Sequence, residues 1–173
     1  MKLKEVDFTK LQTKSSLSSP DLCNRQNINL RDKKTSQSST YIYQGTPSSG
    51  DQALDGHRIT CAHTLQQNDA WWTIDLKALY NISCMSIYNK NAINTDLSGA
   101  KIYIGNSLQN NGWFRNRCLF LPACSVPWYF RTDHNYVYKF PSSVLGRYVT
   151  VIIPETKYMA LCEVKITGTK MGM

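Results

Sequence analysis

Hydrophobic residues in this chain come in short runs separated by turn-forming residues, a pattern typical of β-structure. The runs have strand length and are rich in β-branched and aromatic residues, which favour extended backbone. Two of them, 100–105 and 161–168, alternate apolar with polar positions, as strands with one buried face do. No segment shows a helical stripe longer than about two turns. The strand candidates are residues 41–43, 71–76, 82–88, 100–105, 136–140, 147–153 and 161–168.

Many short strands without an internal repeat predict one all-β domain, a β-sandwich of the jelly-roll kind with short helices or none. We expect this domain to span residues 27–169, with 170–173 as a short tail. Residues 1–26 are polar, Ser- and Lys-rich and aperiodic, which indicates a flexible arm or linker. Trp71 and Trp72 open one strand candidate, and because side chains alternate along a strand, one ring is expected in the core.

The formal net charge of +8 is spread along the chain and forms no dense basic stripe, so nucleic-acid binding is not expected. No apolar run approaches the roughly 18 residues of a membrane span, so insertion into a membrane is not expected either. The three histidines belong to no recognisable hydrolase, metalloprotease or phosphate-binding motif. The chain is therefore predicted to be a binding domain without enzymatic activity.

Six cysteines, an even number, include no closely spaced C-x-x-C pair, which favours disulfides over a zinc site. Buried free thiols are the alternative. Disulfides indicate an oxidising compartment, and the glycosylation sequon at residues 81–83 agrees with secretion. Because the first residues are charged, we expect that a secretory leader is missing from this chain or that the chain is part of a longer product. The expected location is secreted or extracellular.

Several strings together resemble the fucolectin (F-type lectin) family of discoidin-like jelly rolls. They occur in the family's order from about residue 29 to residue 168. The resemblance implies a carbohydrate-binding domain whose partners are cell-surface or microbial glycans, fucosylated ones being typical of the family. A homo-oligomer and a place in a multidomain chain both remain open. The matching strings are TSQSSTY (35–41), ALDGHR (53–58), CAHT (61–64), WWTIDL (71–76), GRYVTVIIP (146–154) and LCEVKITG (161–168).

The resemblance also implies a structural Ca²⁺ ion, held largely by backbone carbonyls and by an acidic side chain of the last strand. Two of the matching positions carry residues that are usually Asn in the family, but a carbonyl ligand does not depend on its side chain. The segment before Cys61 is shortened to two residues, which threatens to move Thr60 out of range. The alternative is that the acidic residues only cap turns. The expected ligand positions are Gln52, Asp55, His57, Thr60, Cys162 and Glu163.

The sugar-binding residues implied by the resemblance are only partly present. His63 matches the family's histidine, and Lys90 stands where the first arginine is expected. Lysine lacks the planar fork that grips two hydroxyls at once. The following loop has neither the adjacent cysteine pair nor a second arginine, so Asn91, Asn94 and Asp96 are the expected polar contacts.

This incomplete set leaves an alternative, a protein- or cell-surface-adhesion module that has lost sugar binding. The aromatic stretch at residues 128–130 fits either a strand with a core role or an exposed contact patch.

For the disulfides, the resemblance implies a bridge between Cys61 and Cys162. Cys118 also matches a family cysteine, but its usual partner position is Phe140 here, so Cys124 is proposed as its partner. The remaining two, Cys23 and Cys84, are left as a pairing that would tether the leading arm to the domain.

Overall fold

The computed structural model describes residues 27–90, 92–107, 128–132 and 134–172. Within these ranges the chain is all-β, as predicted, and its only helix is a 3₁₀ turn, Gly50–Leu54. No described helix has the length and apolar character needed to cross a membrane. The strands are β1 Lys34–Gln37, β2 Ile42–Tyr43, β3 Thr46–Pro47, β4 Ala62–His63, β5 Ala70–Tyr88, β6 Lys101–Gly105, β7 Trp128–Thr132, β8 Asn135–Ile153, β9 Ala160–Leu161 and β10 Glu163–Lys170.

Two long strands, β5 and β8, organise the main antiparallel sheet, whose order is β1-β5-β8-β6. The first part of β5 pairs with β1 and its second part pairs with β10. In the same way, β8 pairs with β7 through residues 135–139 and with β6 through residues 148–152. Besides pairing with each other, the two long strands each pair with one strand along their first part and with another along their second part. In this way a single chain encloses one core.

The sequence pattern predicts two separate strands where β5 runs without interruption, and the same holds for β8. The pairing register of β5 against β8 shifts between Asp75 and Tyr80 and again between Ile82 and Cys84. Lys77 adopts a left-handed φ of 61° within the first shift, and its N–H donates to Asp75 Oδ1 at 2.7 Å. The hydrophobic pattern breaks at this irregularity, but the strand continues beyond it to Tyr88.

Trp72 anchors the core, and Trp71 lies on the opposite face, as the alternation of a strand requires. Trp72 is 1% exposed, and its indole N–H donates to the carbonyl of Gly50 at 2.9 Å. A Cβ at Gly50 would lie 2.8 Å from Thr35 Oγ1, so the close approach of this turn to β1 requires glycine. The expectation that one of the two rings is buried is confirmed.

The predicted disulfide between Cys61 and Cys162 is present and joins residues 101 positions apart. Beside it, β4 pairs with β9 through Ala62 and Leu161. Closing a loop of this length contributes a nominal ~4–5 kcal/mol by the chain-entropy estimate. The bridge and the small sheet together fix the segment before β4 against the start of β10.

The other expected disulfides lie outside the described residues. Cys84 is disulfide-bonded, and its partner is not among the described residues. The bridge between Cys118 and Cys124, and the pairing of Cys23 with Cys84, stay predictions. The aromatic stretch at 128–130 belongs to strand β7, which pairs with β8.

Candidate functional site

Three chain segments converge on an open cleft of about 780 Å³ at one end of the domain. They are the β2–β3 hairpin, the segment leading into β4, and the loop that follows β5. The volume lies within the ~300–1,000 Å³ usual for small-molecule sites. The lining residues are Tyr41, Tyr43, Gln44, Thr46, Ser48, Gln52, Ile59, Thr60, Cys61, His63, Lys90, Ala92, Ile93, Thr95 and Tyr158.

His63 lies between two tyrosines, with ring centroids 4.9 Å from Tyr41 and 5.5 Å from Tyr158. Its Nδ1 is 2.7 Å from the carbonyl oxygen of Thr64. Because a carbonyl only accepts, Nδ1 carries the proton, and in the neutral ring Nε2 is an acceptor. Burial lowers the pKa of His63; the hydrogen bond to Thr64 opposes this shift and the charge of Lys90 adds to it. The neutral ring is therefore favoured at physiological pH.

A buried asparagine, Asn89, fixes the loop that presents Lys90 through side-chain hydrogen bonds. Asn89 is 3% exposed, and its Nδ2 donates to the carbonyls of Thr95 and Ala160, both at 2.7 Å. The hydroxyl of Thr95 donates in turn to the carbonyl of Lys90 at 2.7 Å. These bonds close the loop on itself and join it to β9, so the position of Lys90 is set by buried contacts.

The structure brings together His63 and Lys90, the two residues that carry the resemblance, on one cleft. Asn94 and Asp96 are not among the residues that line it. The carbonyl of Asn94 accepts from the N–H of Tyr158 at 3.1 Å, and Asp96 forms an ion pair with Lys157 at 3.3 Å. A hydrogen bond from Ser98, and then the contacts with Lys157, lower the pKa of Asp96. Asn91 lies outside the described residues.

The tyrosines of the cleft and its two exposed isoleucines are not among the predicted sugar-binding residues. Tyr41 and Tyr43 lie in a strand candidate, Tyr41 also ends the string 35–41, and Tyr158 lies in no motif. Ile59 and Ile93 are 88% and 87% exposed on the cleft rim. In the sequence, both isoleucines are marked only by being apolar residues among polar neighbours.

The expected calcium ligands gather beside this cleft, around Asp55. Its Oδ1 accepts from the N–H of His57 at 2.8 Å, and its Oδ2 accepts from the hydroxyl of Thr60 at 2.5 Å. The shortened segment therefore keeps Thr60 next to Asp55. Gln52 lies in the preceding 3₁₀ turn and also lines the cleft.

Glu163, at the start of β10, completes this group. Its Oε2 is buried and has no hydrogen-bond partner. Burial raises the pKa of Glu163; a hydrogen bond from the backbone of Gly56 opposes the shift, and the negative charge of Asp55 increases it. The described residues contain no group of three or more His, Cys, Asp or Glu side chains that could hold a metal ion. The side-chain donors at this place are the carboxylates of Asp55 and Glu163 and the hydroxyl of Thr60, and oxygen is the donor type that Ca²⁺ takes.

The comparisons of this chain with known proteins agree with one another. The family model described as a NedA-like, galactose-binding domain matches residues 52–151. Fucolectin-1 of the eel Anguilla japonica is 35% identical over 164 residues, which are 89% of this chain and 89% of that protein.

Two solved structures extend the comparison. A fucolectin from striped bass (Morone saxatilis) serum has a TM-score of 0.68 and 33% identity, covering 84% of this chain and 49% of that one. The chain thus spans about half of the striped bass chain. A fucose-binding module of Streptococcus pneumoniae has a TM-score of 0.61 at 23% identity, covering 84% of this chain and 100% of that one, which supports the fold alone.

These matches confirm the predicted discoidin-like β-sandwich and place the chain among lectins rather than enzymes. At the sequence level, the match with the eel protein spans most of the chain. By sequence and by structure, this protein belongs to the fucolectin family.

Proposed function

We propose that this protein is an extracellular carbohydrate-binding domain whose ligand occupies the tyrosine-lined cleft. The observation that carries the proposal is the meeting of His63 and Lys90 on one cleft in a fucolectin-family chain. The names of its relatives support it, since the eel and striped bass proteins are fucolectins. The striped bass relative comes from serum, which supports an extracellular location.

The chemistry of the cleft suits sugar hydroxyls, which both donate and accept hydrogen bonds. Nε2 of neutral His63 accepts a hydrogen bond from a sugar hydroxyl, while the ammonium group of Lys90 donates a hydrogen bond to an oxygen of the same ring. Tyr41 and Tyr158 flank the histidine and offer apolar surface for one face of the sugar. Because Lys90 cannot make the paired contacts of an arginine, we expect a single site of modest affinity. Clustering of several copies would raise the avidity.

We further propose that a structural Ca²⁺ ion binds beside the cleft and stabilises the segments that form it. Asp55 and Glu163 would supply carboxylate oxygens, with Thr60 beside them. The remaining ligands would be backbone carbonyls at Gln52, His57 and Cys162. When bound, the ion supplies positive charge that stabilises both carboxylates and ties the segment before β4 to β10. The ionised carboxylates bind it, and Thr60 holds Asp55 in place.

The sugar-binding proposal is tested on a glycan array with and without a calcium chelator. The wild-type protein is expected to bind a subset of glycans, and His63→Ala and Lys90→Ala are each expected to lose that binding. Lys170→Ala, an exposed lysine at the far end of β10, is the matched control and should bind as the wild type does. Binding that survives both cleft variants would contradict the assignment of the site.

A second candidate function is adhesion to a protein or cell surface. The observation in its favour is the pair of almost fully exposed isoleucines, Ile59 and Ile93, on the cleft rim. Absence of any signal on the array from folded wild-type protein would favour this function over sugar binding.

A further inference from the structure

The described residues that line the cleft carry positive charge only. Among the described residues that line the cleft, Lys90 is the only lysine or arginine, and none is an aspartate or a glutamate. The remaining lining is neutral, with hydroxyl, amide and apolar side chains. Lys90 is also the one charged group that contributes to the pKa shift of His63, and it acts to lower that pKa. The described part of the cleft therefore carries a positive charge without a compensating negative one.

Three carboxylates of the surrounding segments have other partners, and Glu163 does not line the cleft. Asp96 and Glu155 both form ion pairs with Lys157, at 3.3 and 2.8 Å. Asp55 accepts hydrogen bonds from the backbone of His57 and from Thr60. None of the ion pairs within the described residues includes Lys90, whose side chain is exposed at the cleft.

This arrangement selects among sugars. A lysine ammonium donates to the hydroxyl oxygens of a neutral sugar and equally to the oxygens of a carboxylate or sulfate. Only the anion adds attraction between opposite charges, so an ammonium without an ion-pair partner among the described residues favours it. A cleft lined by one sign of charge also raises the local concentration of oppositely charged ligands. Ile59 and Ile93 add apolar surface on the rim.

We infer that the preferred ligand of this cleft is an anionic glycan, whose carboxylate or sulfate group binds Lys90. The inference rests on the proposed sugar-binding function and specifies the ligand class for that site. In this arrangement His63 and the tyrosines contact the ring, and the acidic substituent pairs with Lys90.

The test is isothermal titration of the full chain with four defined probes at low and at physiological salt. The probes are lactose, 2′-fucosyllactose, 3′-sialyllactose and lactose sulfated at galactose O3. We expect at least one acidic probe to bind about tenfold more tightly than lactose, with the preference shrinking as salt screens the charge. The sialylated and sulfated arms distinguish a carboxylate from a sulfate ligand.

Variants assign the preference to one residue. Lys90→Gln is expected to abolish the preference for the acidic probe, and Lys90→Arg to retain it. Lys170→Gln removes the same net charge far from the cleft and is expected to leave the preference intact. Equal or tighter binding of the neutral probes would overturn the inference while the sugar-binding function stands. Binding of none of the four probes would count against both.

Discussion

Replacing Asn89 by alanine removes the buried clamp under the Lys90 loop. In the wild type the side-chain amide donates to two main-chain carbonyls, those of Thr95 and Ala160, at 2.7 Å each. Asn89 is 3% exposed, so the two carbonyls lose their partner in a place that water reaches poorly. A net ~1 kcal/mol for each hydrogen bond, plus the cost of an unsatisfied carbonyl, gives a loss of about 2–4 kcal/mol of unfolding free energy.

The same substitution is expected to weaken ligand binding. Without the clamp, the loop from Lys90 to Thr95 loses its link to β9 and samples more conformations, so part of the binding energy is spent on ordering it. Affinity for the best glycan on the array should fall by roughly tenfold, which corresponds to ~1.4 kcal/mol. Asn89→Asp, which keeps the shape but removes both donors, should be at least as destabilising as Asn89→Ala.

The assay is urea unfolding followed by tryptophan fluorescence, with glycan titration of the same samples. Asn106→Ala, an exposed asparagine at the end of β6, is the control and should change stability by less than about 0.5 kcal/mol. A change of less than about 0.5 kcal/mol for Asn89→Ala, together with unchanged affinity, would refute the role given to the clamp.

Three further predictions concern the residues around the cleft. Because the folded pKa of His63 lies below its ordinary value of 6.5, the folded state disfavours its protonation. Its contribution to stability is fully present above pH 6.5 and is lost as pH falls from there through the lowered folded pKa. Glycan binding should persist below pH 6.5 and fail only at the lowered folded pKa, which titrations at several pH values check; loss of binding already above pH 6.5 would contradict this. The folded pKa of Glu163 is raised, so its ionisation costs stability as pH rises through that pKa, and Glu163→Gln should not destabilise the chelated protein at pH 7. In differential scanning fluorimetry we expect calcium to raise the Tm of the wild type but not that of Glu163→Gln, and a calcium response retained in the variant would speak against the metal site. The double variant Cys61→Ser/Cys162→Ser should lose ~2–5 kcal/mol in urea unfolding, and a loss below ~1 kcal/mol would show that the bridge adds little.

The fold could be predicted from sequence because its signals are local. Alternation and β-branched content mark the strands, and the paired tryptophans mark a core position. The register shifts that make β5 and β8 continuous could not be predicted, since a bulge depends on pairing with a distant strand. Lys77, with its left-handed φ, carries no residue-type signal for such a break.

The candidate site was predictable only where a motif carried it. His63 lies in a string that resembles the family, Lys90 stands where the family's first arginine is expected, and the structure places both on one cleft. Asn89 could not be recognised as a clamp, since both of its acceptors are main-chain carbonyls. Tyr158 enters the cleft through a long-range contact, its N–H donating to the carbonyl of Asn94, and such contacts have no signature in a single sequence.

The most direct test of the central claim is an NMR titration of ¹⁵N-labelled protein with 2′-fucosyllactose and with 3′-sialyllactose. If the sugar binds in the cleft, we expect chemical-shift changes confined to the hairpin at 41–48, the segment 59–64 and the loop 90–95. The ring nitrogens of His63 should be among the resonances that move most. These changes should vanish in His63→Ala. Shifts centred elsewhere on the domain, or no shift with either sugar, would contradict the account.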